Sequence, residues 1–270
     1  MTSPTSAFAL SRATRGTLRD LALFALLLGG LGWLLALGVE SLGYHWKWYR
    51  MPRYLFQSVD GRWAFGPLLT GLWVTFQISG LALVLTMVFG LTTAVFRLSN
   101  SFTARLAART YVECIRNTPL LVQIFFIYYV IAPVLGMDAF ASAVLALALF
   151  EGAYASEIFR AGIVSIDKGQ WEAADSLGLS RWHTYRKIIL PQAVQRILPP
   201  LTGVGVSLIK DSSLASTIAI FELTQQGGII ASDTFMVFET WFTVGIIYLC
   251  VTMPLSLCVA ALEKRMRTEC

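Results

Sequence analysis

Hydrophobic positions in this chain gather in six long runs: Leu21–Val39, Leu68–Phe96, Leu120–Leu135, Ala139–Ile158, Ile197–Ile220 and Trp241–Leu262. A helix needs about 20 apolar residues to cross the hydrocarbon of a bilayer, so the pattern predicts an all-α, polytopic membrane bundle of about six transmembrane helices. The third run is short and carries Pro133 near its end, which predicts a span that is broken or leans on its neighbours. Ahead of the first run, residues 1–20 form a Ser/Thr/Arg-rich tail without periodicity, expected to be mobile.

The polar stretches have patterns of their own. Between the first two runs, Tyr44, Trp46, Trp48, Tyr49, Tyr54, Phe56 and Trp63 alternate with Lys47, Arg50 and Arg53. Such a segment reads as an aromatic belt at the lipid headgroups or as a contact surface for a partner outside the cell. Across Thr103–Ile115, Arg105, Arg109, Glu113 and Arg116 recur at helical spacing, with Leu106, Thr110 and Cys114 one step on. This predicts a surface helix carrying i,i+4 charge pairs. At its end Thr118 is a natural N-cap and Pro119 a natural first residue for the next helix. Asn117 and Thr118 would then lie at a helix N-terminus that favours an anion; simple capping is the alternative.

Composition fixes the class. Fifty-six percent of residues are hydrophobic, 14% are charged, and the mean hydropathy is +0.65, outside the range of a soluble protein this size. The net charge of +5 is explained by orientation. With the N-terminus inside, the inner face holds Arg12, Arg15 and Arg19, then Arg97, Arg105, Arg109 and Arg116. Arg160, Lys168, Arg181, Arg186, Lys187 and Arg196 follow, and finally Lys264, Arg265 and Arg267. Only Lys47, Arg50, Arg53 and Arg62 fall outside, with Lys210 inside a span. This positive-inside bias places both termini in the cytoplasm and needs no nucleic acid. A cleaved signal peptide over the first run is the weaker reading, since that run exceeds the roughly 7–15 apolar residues of a signal core.

Several chemistries are excluded. No lysine follows a glycine, so the chain has no Walker A loop, and neither G-x-S-x-G nor H-E-x-x-H occurs. Cys114, Cys250, Cys258 and Cys270 show no C-x-x-C spacing, and His45 and His183 fall on opposite sides of the membrane, so no metal or disulfide is expected. The chain is not an enzyme by itself and is expected to bind no cofactor.

Ionisable residues at membrane depth are functional candidates because burying them costs several kcal/mol unless they are paired or wetted. Glu151 lies mid-span. Glu157, two turns lower, has Arg160 as a partner and reads as structural. Lys210 and Asp211 share a helix with Gly203, Val204 and Ser207, and 203, 207, 210 and 211 make one small or polar stripe. Either this stripe lines a path, or Lys210 simply pairs with Asp211 or Glu151. Pro199-Pro200 opens that helix, and Pro254 lies inside the last one.

Residues 169–191 are the most specific feature. Trp171, Ala174 and Leu177 fall on one side of a short helix that begins near Glu172-Ala173-Ala174. Gly178 sits where a helix stops in a left-handed conformation, and Ser180 can cap a second turn running until Pro191 breaks it. A compact helix-turn-helix results, basic and aromatic outside, suited to a groove on another protein.

The spaced positions Glu172-Ala173-Ala174, Gly178 and Ile188-x-Leu190-Pro191 match the EAA-type loop of ABC-importer permeases. With R-N-T-P-L-L-V-Q at 116–123, Y-A-S-E-I-F-R-A-G-I at 154–163 and K-D-S-S-L-A-S at 210–216, the chain resembles permease subunits of bacterial polar amino-acid ABC importers, the histidine/glutamine/glutamate-type group. The resemblance runs from about residue 66 to 265. It implies a type I permease core of about five helices and a second permease, identical or paralogous. It also implies two cytoplasmic ABC ATPase subunits holding ATP and Mg²⁺, and an extracytoplasmic amino-acid-binding protein. Trp171, Glu172, Ala173, Ala174, Leu177 and Gly178 would dock on the ATPase.

The division expected is a tail at 1–20, an extra span with its aromatic segment at 21–66, and a permease core at 67–265. Asn117, Thr118, Glu151, Val204, Ser207, Lys210 and Asp211 are the candidate substrate-binding residues. Many members of that group carry Asn-Glu where this chain has Gly203-Val204, and the resemblance implies that loss of that carboxylate favours a neutral or acidic amino acid. A proton-coupled secondary transporter is the alternative function, and a non-transporting scaffold or sensor is a further one.

Overall fold

A computed structural model describes residues 5–41, 43–59 and 61–268. Cys270 lies outside the described residues, and only the backbone is described for Arg12, Arg15, Arg265 and Arg267. The chain forms two units, Met1–Lys47 and Trp48–Cys270.

The first unit contains one helix, α1 (Thr5–Ser41), whose window Arg19–Gly38 is apolar enough to span a membrane. Residues 5–20, expected as an irregular tail, are helical. Ala7, Ala9, Leu10, Arg12, Ala13 and Arg15 are strong helix formers and carry the helix of the apolar run back towards the N-terminus. At 1.5 Å per residue α1 is about 55 Å long, well beyond a hydrocarbon core of about 30 Å.

The second unit opens with a 3₁₀ turn, Trp48–Arg50, the short helix α2 (Pro52–Leu55) and a hairpin of β1 (Phe56–Val59) and β2 (Arg62–Phe65). The strands are antiparallel, with Phe56 opposite Phe65 and Val59 opposite Arg62. Met51 anchors this segment, buried among Leu68, Leu223, Ile230, Met236 and Val244.

Helix α3 (Pro67–Leu98) is the central span. Its buried face carries Gly71, Thr75, Ser79, Ala82, Thr86, Gly90 and Ala94, a small residue at nearly every turn. The facing helix α7 (Ala139–Val164) answers with Ser142, Ala143, Ala146, Gly152, Ala155 and Ser156. Lipid gives no hydrophobic reason for helices to associate, so close backbone approach along small residues has to supply the contact energy. At Gly90 an added Cβ would lie 2.8 Å from the Cβ of Ala155.

Between them, the amphipathic α4 (Phe102–Arg116) is capped by Ser101, whose side chain accepts from Ala104 N at 3.3 Å. It lies at 108° to the span that follows it. That span is α5 (Leu120–Phe126), a π-turn (Ile127–Ile131) and α6 (Ala132–Leu135). Pro133 does not break it: the proline falls in the first turn of α6, after the π-turn has already reset the hydrogen-bond register.

After α7 come α8 (Lys168–Ser176), α9 (Arg181–Thr184), a second π-turn (Tyr185–Ile189) and α10 (Leu190–Asp211). Pro191, expected to end a helix, is continuous with α10 because it too follows a π-turn at the start of a helix. Pro199 and Pro200, expected to open the span, lie in its interior. Packing holds the helix together there: a Cβ on Gly162 of α7 would meet Ile197 Cγ1 at 2.3 Å. Beyond α10, a 3₁₀ stretch (Ser212–Ile218) leads to α11 (Leu223–Thr234), a helix absent from the sequence expectations, and then to the last span α12 (Val237–Thr268), with Pro254 inside it.

Candidate functional site

Three of the predicted substrate residues meet in one cavity of about 310 Å³ between α7 and α10. Glu151, Val204 and Ser207 line it with Phe150, Tyr154, Ile158, Pro200 and Gly203. Glu151 and Val204 are almost fully buried. The carboxyl group of Asp211 lies beside that of Glu151, and the Lys210 charge acts on both. Lys210 therefore compensates two acids and not one partner alone.

Lys210 itself opens into a different cavity of about 370 Å³, lined also by Ser213, Thr224, Trp241, Val244, Gly245 and Tyr248. The single stripe expected over 203–211 is thus divided. Gly203 and Ser207 face one cavity, while the long lysine side chain reaches the other.

Asn117 and Thr118 form their hydrogen bonds elsewhere. Asn117 is the C-cap of α4, and its Nδ2 donates to Glu113 O at 2.7 Å and to the Glu113 carboxylate at 3.3 Å. Thr118 Oγ1 donates to Cys114 O, and Pro119, not Thr118, is the N-cap of α5. Both side chains close the preceding helix, because its last carbonyls lack intrahelical donors. Neither is among the residues lining the Glu151 cavity. The same hydrogen bond explains why Glu113 makes no ion pair with Arg109 among the described residues.

Glu157 behaves as expected and more. Arg160 bonds it through Nε at 3.2 Å and Nη2 at 3.0 Å, Arg97 of α3 donates to its other oxygen, and Arg116 of α4 lies 3.8 Å away. One carboxylate ties three helices together.

Two buried acids escaped the sequence reading. Glu222 and Glu239 are both fully buried. Glu222 caps α11, accepting from Gln225 N at 2.7 Å, Thr224 N at 2.9 Å and the Tyr248 hydroxyl at 3.1 Å, with Thr75 Oγ1 3.5 Å away. It sits behind the Lys210 cavity, since Thr224 and Tyr248 line that cavity. A lone acid in Ile220-Phe221-Glu222-Leu223 followed by Thr-Gln-Gln was the available signal.

The loop at 169–191 has the expected geometry in its main points. Asp167 caps α8, accepting from Gly169 N at 2.7 Å. Gly178 has φ +67°, and Ser180 caps α9 while its hydroxyl lies 2.7 Å from His183 Nδ1. Ala174 is fully buried, and Trp171 packs edge-on to Tyr185 at 5.1 Å. Leu177 departs from that side: as the C-cap of α8 it is 76% exposed, beside the exposed Glu172, Ala173 and Trp182. A folded knob with one buried foot results, presenting an acid and two large apolar side chains outward.

Residues 86–268 match the family of binding-protein-dependent transport system inner membrane components. The chain is 41% identical over 203 residues to the glutamine transport system permease protein of Escherichia coli (strain K12), covering 74% of this chain and 93% of that one. It is 39% identical over 206 residues to the L-cystine transport system permease protein of Bacillus subtilis (strain 168), covering 75% and 88%. A crystal structure of an amino acid ABC transporter with histidines is similar at TM-score 0.69 and 38% identity, over 74% of this chain and 94% of that one. A methionine ABC transporter in inward-facing conformation shares the fold at TM-score 0.62 and 16% identity, over 74% and 95%.

Proposed function

The chain belongs to the family of binding-protein-dependent transport system inner membrane components, as the permease subunit of an amino-acid ABC importer, and on that premise we propose how it couples and what it carries. The knob formed by α8 and α9 docks in a groove on a cytoplasmic ABC ATPase, one of two that bind ATP and Mg²⁺. The observation that carries this reading is the exposure of Glu172, Leu177 and Trp182 on a loop whose fold is fixed by Ala174, Gly178 and Ser180. An exposed acid among Arg181, Arg186 and Lys187 is placed to meet an arginine on a partner, and charge-assisted hydrogen bonds of that kind are the strong ones.

The end of the bundle bearing this knob, with Arg97 and Arg160, faces the cytoplasm, in keeping with the positive-inside rule. A second permease, identical or paralogous, completes the pathway, and a binding protein delivers substrate from the other side. The cargo is a neutral or acidic L-amino acid. Glu151 and Asp211 offer acceptors to its ammonium group, Ser207 adds a hydroxyl, and the apolar Val204 leaves no fixed charge for a cationic side chain. The two relatives above are named for glutamine and L-cystine, neither of them cationic. Asn117 and Thr118 take no part in this proposal. Secondary transport driven by protons is not supported: the relatives are ABC permeases.

Uptake of labelled amino acids into vesicles bearing the complete importer is the test. ATP-dependent accumulation, inhibited by glutamine or cystine and not by arginine, is expected. Uptake that persists without ATP and collapses with a proton uncoupler would contradict it.

A further inference from the structure

Beside the Glu157 knot lies a cavity of about 460 Å³ at which four arginines meet. Arg97, Arg105, Arg109 and Arg160 line it with Phe102 and Leu106. Glu157 holds Arg97 and Arg160. Arg105 and Arg109 are exposed and have no ion-pair partner among the described residues. Four guanidinium groups therefore converge on one space with a single carboxylate between them. Their mutual repulsion favours an anion in that space.

Three further features define that anion. The site is built on the amphipathic α4, which lies at 108° to the adjacent span, an orientation close to the membrane plane. Phe102 is 73% exposed and Leu106 52% exposed, side by side with the free arginines, so the cavity has an apolar margin facing outward. The first turn of α4, which carries Phe102 and Arg105, also borders this space, and a helix N-terminus favours negative charge. A small soluble anion would need the arginines but not the apolar margin. A phospholipid needs both.

We propose that Arg105 and Arg109, backed by Arg97 and Arg160, bind the phosphate of an acidic phospholipid, whose acyl chains lie along Phe102 and Leu106. The inference rests on the reading that this basic end faces the cytoplasm, where anionic headgroups would reach it from the inner leaflet. Arginine suits the task because its planar fork meets two phosphate oxygens at once. Basic pockets between spanning helices recognise acidic headgroups by this chemistry. Bound lipid would clamp α4 to α3 and α7, and so support the bend at Asn117–Pro119.

The test is lipid retention, which is independent of transport and so fails separately from the importer reading. The full chain is reconstituted with its partner subunits in phosphatidylcholine bilayers containing phosphatidylglycerol, extracted gently, and its retained lipid counted by native mass spectrometry. Wild type should retain phosphatidylglycerol selectively, and Arg105→Gln/Arg109→Gln should lose that selectivity by about thirtyfold, roughly a factor of five for each charge. Arg50→Gln/Arg53→Gln, at the other end of the bundle, should change nothing, and Arg105→Lys/Arg109→Lys should keep most of the selectivity. Should the glutamine pair fail to fold, the lysine pair and a competition on wild type decide. Displacement of the lipid by inorganic phosphate would assign the cavity to a soluble anion and overturn the lipid reading. No selectivity in wild type, or unchanged selectivity in a folded glutamine variant, would overturn the site itself.

Discussion

The carboxyl groups of Glu151 in the middle of α7 and Asp211 at the end of α10 lie side by side in the interior of the bundle. Two acids brought together at membrane depth are costly, and a cationic group arriving between them is correspondingly favoured. Lys210 supplies part of that compensation from the side, through a charge that belongs to the neighbouring cavity. The arrangement fits a transient seat for an α-ammonium group.

Neutral isosteres test this seat. Glu151→Gln and Asp211→Asn keep shape and hydrogen bonding but remove charge, so each should leave expression intact and lower the ratio of uptake rate to substrate concentration at half-saturation. A hydrogen bond to a charged group is worth about 1.5–3 kcal/mol, which is about tenfold to a hundredfold. Equal uptake by wild type and both variants would remove the acids from the path.

Specificity should follow Val204, which is almost fully buried against the same cavity. Val204→Glu places a third carboxylate there and should shift competition profiles towards arginine and lysine, at the expense of glutamine. An unchanged profile at normal expression would place substrate elsewhere.

Gly178 is expected to be intolerant for a backbone reason. At φ +67° a β-branched side chain collides with its own backbone, at about 1–2 kcal/mol or more. No atom lies within 4 Å of the place its Cβ would take, so crowding is not the cause. Gly178→Val should therefore leave the bundle folded, measured by thermal stability in detergent, while abolishing ATP-driven uptake. Gly178→Asn, which tolerates this conformation, should retain much of it.

Glu157 should matter for assembly and not for cargo. Its removal leaves Arg97, Arg116 and Arg160 crowded without an acceptor, and losing the hydrogen bonds of a half-buried charged group costs about 1–3 kcal/mol. Glu157→Ala should lower the melting temperature and yield, with an unaltered substrate profile in whatever folds. A variant of wild-type stability would contradict the structural role.

Much of this was legible because the membrane simplifies the code. Long apolar runs could only be spans, the charge step between α3 and α5 could only be a surface helix, and the Glu172–Gly178–Ser180 spacing carried its own caps. What stayed hidden depended on partners far along the chain. Nothing near Glu151 points to Asp211, and nothing near Glu222 points to Tyr248. Helix α11 lacks a clear apolar face because it packs against α3 on one side and α12 on the other. The hairpin at 56–65 had a signal in Asp60-Gly61, with Gly61 at φ +73°, that the surrounding aromatics masked. Pro133 and Pro191 were read as breakers because a π-turn, which absorbs a missing N–H, leaves no mark in composition.

The most direct test of the whole reading is Glu172→Ala in the reconstituted importer, with binding protein and amino acid supplied outside. Glu172 is exposed, and its side chain makes no hydrogen bond or ion pair among those described within the permease, so its loss should cost the fold nothing. The predicted result is a stably folded permease whose ATPase association and substrate-stimulated ATP hydrolysis fall sharply, together with uptake. Association, stimulated hydrolysis and uptake all at wild-type levels would contradict the coupling role assigned to the loop.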